Sequence, residues 1–421
     1  MSIYLDTAAT TPVHPQVLDA MLPYFSDKFG NASSIHSFGQ EARSAVDNSR
    51  HQIAEFLNCK STEVIFTSGG SESDNLAIKG ILEAVIPTQV EGSYKRFLGS
   101  ARNDKKDGND KFKPHVITSA FEHHAVLDTI KELENEGKIE ASYIKPNHDG
   151  LVEVGDIEVA IKDNTVLVSI MYVNNEIGTV QPIRAIGQML EKKNKERSSC
   201  IYFHTDAVQA AGYFDLNVDT LHVDLLTMSA HKIYGPKGIG LLYVRSGVPV
   251  KHQMVGGGQE YKKRAGTENV AGIVGFAKAL LVIASETKQS KDGIATSGSL
   301  AMTKLRDKLI DGLLQIPSSQ LNGSREHRSP ANANISFINA EGEAILLNLD
   351  MEGIAASTGS ACTSGSLSPS HVLISMGLKP EQCHGSIRFT LGRETTEEEI
   401  DKVLEVLPPI IDKLRKMSPF S

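Results

Sequence analysis

The sequence predicts an α/β chain. A mainly parallel central sheet carries helices on both faces, and a smaller α+β unit follows it. Three observations predict this. Apolar runs alternate with helical patterns through most of the 421 residues. The runs lack strict polar alternation, as befits strands buried on both faces. The C-terminal third switches to short alternating strands and amphipathic helices.

In chain order, Glu63–Thr67 and His115–Thr118 read as strands, with a helix over Ala125–Glu134 after the second. The run Thr165–Met171 is a third strand, and a helix over Ile183–Lys195 follows it. Cys200–His204, Val223–Met228 and Gly240–Val244 complete the set. Between them, Gln89–Lys113 is polar, charged and aperiodic, the signature of a surface insertion or mobile loop. Beyond it, Leu300–Leu314 is an amphipathic helix, and Asn334–Ile338 and Ser386–Thr390 are short strands. Thr396 and Glu399 form a capping box ahead of Ile400, Val403, Leu404 and Leu407 at helical spacing. Pro408-Pro409 is expected to kink or end that helix.

Composition narrows the function. Lys and Arg number 43 against 51 Asp and Glu, a net charge of −8. That balance argues against general nucleic-acid binding, which needs a cationic surplus. Four cysteines with no CxxC pair make neither a disulfide framework nor a zinc ribbon, and no metal site is expected. The N-terminus shows no basic region followed by an apolar run, and no stretch reaches the ~20 apolar residues of a membrane helix. A cytoplasmic chain without membrane attachment is expected.

Four constellations sit at or near predicted strand ends, where open α/β sheets place their sites. Thr67-Ser-Gly-Gly-Ser-Glu-Ser-Asp-Asn75 leads from a strand into a helix, so small residues and free N–H groups form a cup for phosphate. A tight strand–helix turn needs the same glycines. Asp206 ends an apolar strand, either as a helix cap or as a buried carboxylate awaiting a cation. Lys232 sits among small residues between two strands, where a desolvated amine can form an imine; taken alone, it also reads as a solvated loop lysine, and Lys237, in a turn between Pro236 and Gly238, is the competing candidate. Ser229 and His231 beside Lys232 could donate to phosphate. Cys362 lies in Ser357-Thr-Gly-Ser-Ala-Cys-Thr-Ser-Gly-Ser366, a polar small-residue loop where a thiol is exposed and reactive. Cys59 and Cys200 read as packing residues, and the pairing of Cys383 with His384 as incidental. A phosphate cup, an acid for a pyridinium nitrogen and an imine lysine are what pyridoxal 5'-phosphate requires.

With those motifs in view, the chain resembles the pyridoxal-phosphate cysteine desulfurases, the NifS/IscS-like group of class V aminotransferases. The likeness runs nearly end to end. It includes Tyr4–Pro12, the cup, Glu122-His123, Asn174-Asn-Glu-Ile-Gly178, His204–Gln209, Ser229–Gly240, Arg264–Asn269, the Cys362 loop and Ser386–Arg393. The resemblance implies a fold-type-I homodimer with the cofactor near the subunit interface. It divides the chain into a segment 1–14 packing with the small domain, a large cofactor domain 15–257 and a small domain 258–421. It matches Lys232 to the Schiff-base lysine, Asp206 to the ring-nitrogen partner, Gln209 to the ring hydroxyl and His123 to the histidine that stacks on the ring. Gly70, Ser71, Ser229 and His231 match phosphate contacts, and Thr267 the residue offered to the neighbouring subunit's phosphate. Asn31, Asn175 and Arg388 match substrate contacts, and Cys362 the nucleophile.

The implied activity takes sulfur from L-cysteine, leaves alanine and forms a persulfide on Cys362. An acceptor protein such as an iron–sulfur scaffold collects the sulfur, and nucleic acid enters only through an indirect role in tRNA thiolation. The chain departs from the family pattern at Ser71, where threonine is common, and after Asn31, where a proline often stands. The insertion resembles that of the selenocysteine lyases, and the ending at Ser421 is shorter than the tails of many scaffold-docking members. The alternatives are a selenocysteine lyase, another class V aminotransferase or lyase, and a non-catalytic binding protein; intact Lys232, Asp206 and Cys362 argue against the last.

Overall fold

The structure, a computed structural model, describes residues 2–85, 113–287, 297–359 and 369–417. Its centre is a seven-stranded sheet in the order Val64–Thr67, Gly240–Val244, Leu225–Ser229, Tyr202–Asp206, Thr165–Ser169, His115–Ser119, Glu140–Ile144. The last five strands in that order run parallel, and Gly240–Val244 runs antiparallel to both its neighbours. Each strand predicted here has buried residues throughout, the pattern expected when helices cover both faces.

The strand Glu140–Ile144 is an addition to the sequence reading. It is an edge strand, half-exposed, and its Ala141 and Ser142 carry little strand propensity. The direction of Gly240–Val244 was equally hidden, since apolar content does not encode polarity. Of the expected insertion at 89–113, all but Lys113 lies outside the described residues.

A second apolar core begins beyond the first. Met302, Leu309, Ile335, Phe337, Ile387, Phe389, Leu407 and Ile411 gather around a three-stranded antiparallel sheet of Ser386–Thr390, Asn332–Phe337 and Ser319–Leu321. The helix Val270–Thr287 does not belong to it. Its Ile273, Phe276 and Leu280 pack in the first core with Val17, Met21 and Met228. Beyond this helix the chain enters the second core, although Val372, Leu373, Met376 and Cys383 return to the first.

The chain start joins the second core. Ile3–Tyr4 pairs in parallel with Ile354–Ala355, and Leu5 is fully buried there. The capping box forms: Thr396 N donates to Glu399 Oε2 at 3.1 Å and Glu399 N to Thr396 Oγ1 at 3.3 Å. Of the kink or end expected at Pro408-Pro409, the end does not occur: the helix runs from Glu397 to Met417 through both prolines. Val406 and Leu407 before them and Ile410 and Ile411 after them are all buried, and that packing outweighs the two lost backbone donors.

Candidate active site

The carboxyl ends of the parallel strands open on a cavity of about 420 Å³. Gly70, Ser71, His123, Asn175, Asp206, Gln209, Ser229, His231, Lys232 and Arg388 all line it. The fold thus gathers residues from five strand-end loops and from the second unit's sheet.

The cup begins the sixteen-residue helix Gly70–Val85, whose first N–H groups have no intrahelical partner. Space there is tight: a Cβ on Gly70 would stand 3.0 Å from Val208, and one on Gly240 only 2.6 Å from the Gly69 backbone. Thr67 Oγ1 and Ser73 Oγ, 2.7 Å apart, brace the loop from within.

Lys232 ends a short 3₁₀ turn after the strand Leu225–Ser229. Its Nζ donates to the carbonyls of Ala8 at 2.5 Å and Ala9 at 2.7 Å. Gln209 Nε2 donates to the same Ala8 oxygen at 3.0 Å. The segment 7–11 is held on both sides. Ala8 N donates to Thr390 Oγ1 at 2.9 Å, and Thr11 N to the His231 carbonyl at 2.9 Å.

Asp206 is nearly buried, and its Oδ1 accepts from Val208 N at 2.9 Å. Burial pushes its carboxyl up to about 6, against the pull of that N–H and of Lys232. Below it stands His204, pushed down to about 3 by burial and bonded to Ser169 and Thr227. Asp74 also reaches the cavity, and burial and repulsion from Asp206 raise its carboxyl well above the usual range.

His123 caps the helix His124–Asn135, its Nδ1 accepting from Ala125 N at 3.1 Å. Burial, then Lys232 and the neighbouring histidines, lower its ring to about 4, so it is neutral near pH 7. Since Nδ1 accepts, the ring proton sits on Nε2. Arg388, 3 % exposed on the strand Ser386–Thr390, donates to the Asn175 carbonyl and to Asp6 Oδ1, each at 2.9 Å. Its Nε is buried with no partner among the described residues.

Asn31 and Thr267 are exposed and do not line the cavity of this single chain. Cys362 lies outside the described residues. The sequence reading missed Asp74 and the carbonyls of Ala8 and Ala9. The Tyr4–Pro12 motif was a signal for the latter, but backbone acceptors leave no side-chain mark.

The Aminotransferase class-V model matches residues 3–91 and 106–403. The chain belongs to the class-V aminotransferase family. Among its relatives are the cysteine desulfurase IscS of Clostridium botulinum strain Hall, 48% identical across 99% of this chain and 96% of that protein, and the cysteine desulfurase IscS of Methanosarcina thermophila, 46% identical across 100% and 94%. Among solved structures, a NifS-like protein matches with a TM-score of 0.84 and 34% identity over 98% of this chain and all of that one. SspA in complex with cysteine matches at 0.75 and 33% identity, over 94% of this chain and all of that one. As a member of this family, the protein uses pyridoxal 5'-phosphate.

The residues present fit that group. A cup at a helix N-terminus suits a phosphate, a buried carboxylate suits a ring nitrogen, and a lysine lines the same cavity.

Proposed function

We propose that this protein is a cysteine desulfurase that draws sulfur from L-cysteine onto Cys362. The observation that carries it is the convergence of Lys232, Asp206, His123 and Arg388 on one cavity in a chain whose full-length relatives bear that name. Gly70, Ser71, Ser229 and His231 would hold the phosphate, Asp206 the ring nitrogen, Gln209 the ring hydroxyl and His123 the ring face. When bound, the cofactor supplies an electron sink for the substrate's α-carbon.

The chain's own groups do the rest. Arg388 offers a guanidinium fork to the substrate carboxylate, and Asn175 beside it completes that end. Lys232 takes the α-proton on Nζ, where the carbonyls of Ala8 and Ala9 accept the resulting ammonium's hydrogens. Neutral His123, with its proton on Nε2, can pass a proton within the cavity. The Cys362 thiolate attacks the substrate sulfur. A sulfur–sulfur bond forms, the carbon–sulfur bond breaks with its electron pair left on carbon, and protonation releases alanine.

The same reading extends to the assembly. The protein works as a cytoplasmic homodimer and hands its sulfur to an acceptor protein of iron–sulfur or other sulfur-cofactor synthesis. Exposed Phe25, Phe29, Ile35 and Val255 support an apolar face for a second copy, to which Thr267 and Asn31 would contribute. No helix among the described residues is long and apolar enough to cross a membrane. Incubation with L-cysteine and a reductant tests the activity. Sulfide and alanine should appear in equal yield and both vanish in Cys362→Ser; sulfide at the wild-type rate from that variant would refute the assignment.

A further inference from the structure

Glu176 lies on the turn between Val173 and Val180, next to the cavity residue Asn175, and is 3 % exposed. Its backbone is fixed from both sides. Its N–H donates to Asn174 Oδ1 at 2.9 Å, and its carbonyl accepts from Asn332 at 3.1 Å and Asn334 at 3.0 Å, both on the second unit's central strand.

The carboxylate then touches two more places. Oε2 accepts from Ser370 Oγ at 2.5 Å. Ser370 is itself the cap of the helix His371–Ser375, accepting from Leu373 N. On the other flank is Gly359, where a Cβ would overlap Oε2 and sit 3.3 Å from the Glu176 Cβ. The φ of Gly359 is not in the left-handed region, so this glycine is required for room and not for backbone shape. A carboxylate at the end of a free side chain would yield, but this one is buried and already held by Ser370.

In sequence, Gly359 and Ser370 flank Cys362. Two residues before Gly359, Ser357 exchanges backbone bonds with Arg388 at 2.7 and 3.2 Å, and Arg388 Nη1 donates to the Asn175 carbonyl. The groups proposed to hold the substrate carboxylate and both approaches to the thiol therefore meet around one turn. We propose that Glu176 is a positioning residue whose buried carboxylate holds Gly359 and Ser370 in fixed relation to Asn175 and Arg388, and so sets where the Cys362 thiol is delivered. This rests on the desulfurase reading, in which Cys362 receives the sulfur.

The chemistry asks for such a part. The nucleophile must meet the substrate sulfur within near-attack distance, and a displacement of about 1 Å can cost on the order of 100-fold in rate. Binding of cysteine to the opposite groups does not depend on that distance.

The test is a single-turnover experiment on the cofactor-loaded full chain. It follows cysteine binding by the visible spectrum and persulfide on Cys362 by intact mass after trapping. Glu176→Ala should slow persulfide formation by about 10–100-fold while the cysteine midpoint stays within about 2-fold. Glu176→Gln keeps an acceptor for Ser370 and should stay within about 3-fold of wild type. Gly359→Ala should be slow for the same reason as Glu176→Ala, and the double variant Glu176→Ala/Gly359→Ala no slower than Glu176→Ala alone, since the overlap is gone. A wild-type rate in Glu176→Ala, or simple additivity in the double variant, overturns the proposal. Should Glu176→Ala not fold, wild-type rates in both Gly359→Ala and Ser370→Ala overturn it instead. A Cys362→Ser protein that still releases sulfide at full rate refutes the desulfurase reading itself. An inactive Cys362→Ser with an unimpaired Glu176→Ala refutes only the role of Glu176.

Discussion

Lys232 and Arg388 face the same cavity from walls of different construction. The Lys232 wall is made of strand ends in one sheet: Asp206 closes a strand, Ser229 closes its neighbour, and the cup follows a third. Its polar groups are set by backbone geometry and by burial. The Arg388 wall is a seam. Arg388 comes from the second sheet, Asn175 from a turn of the first unit and Asp6 from the chain start, and Arg388 ties them together through a bond to the Asn175 carbonyl and an ion pair with Asp6. A wall of the first kind suits a resident cofactor, which must not move. A seam suits a substrate that comes and goes.

The comparison can be broken at its strongest point first. Lys232→Ala should abolish the cofactor's imine absorbance and cut turnover by about 10⁴-fold, read by spectrum and by alanine release. Asp206→Asn should come next, at about 10²–10³-fold in kcat, through loss of the anionic partner proposed for the ring nitrogen. Arg388→Lys tests the seam. It should raise the KM for cysteine by about 10–100-fold with a much smaller change in kcat, since a point charge replaces a fork. A kcat loss as large as that of Asp206→Asn would place Arg388 in the wrong wall.

The fourth prediction concerns stability alone. Burial pushes the Glu122 carboxyl up from 4.5 to about 8, against bonds from Ser119 and Met171 N. The folded chain keeps a proton that the unfolded chain releases above about 4.5. Its contribution is whole below that pH and is lost as pH rises through about 8. Denaturant unfolding at pH 5 and pH 8 should show wild type losing on the order of 1–3 kcal/mol more than Glu122→Gln does. The smallest effect belongs to the packing thiols. Burial raises Cys59 to about 12 and Cys383 to about 11, so Cys59→Ser and Cys383→Ser should leave the rate within about 2-fold.

The Lys232 wall was far more legible in the sequence than the seam. Strand-end motifs are contiguous, so the cup, Asp206 and the Ser229–Lys232 stretch each announced themselves within a few residues. Apolar runs marked the strands for the same reason, while the half-exposed edge strand Glu140–Ile144 left no such run. The seam joins residues hundreds of positions apart, and its acceptors are largely backbone carbonyls, which no side-chain pattern records. Asp74 carries no mark of its own within the cup, because in sequence a carboxylate aimed inward from a helix's first turns looks like one aimed at solvent. Pro408-Pro409 failed as a stop signal because a local breaker is weighed against packing that only the fold reveals.

The opening residues have a consequence for how the protein is made. Ile3 and Tyr4 find their partners at Ile354 and Ala355, and Asp6 and Ala8 find theirs on the strand ending at Thr390. During synthesis these residues must therefore wait for partners made more than 300 residues later. The seven-stranded sheet can assemble during synthesis, yet the carbonyls that receive Lys232 cannot be locked in place until the C-terminal third has been released. A chain cut short before Ser386 would thus hold the large sheet without a settled lysine.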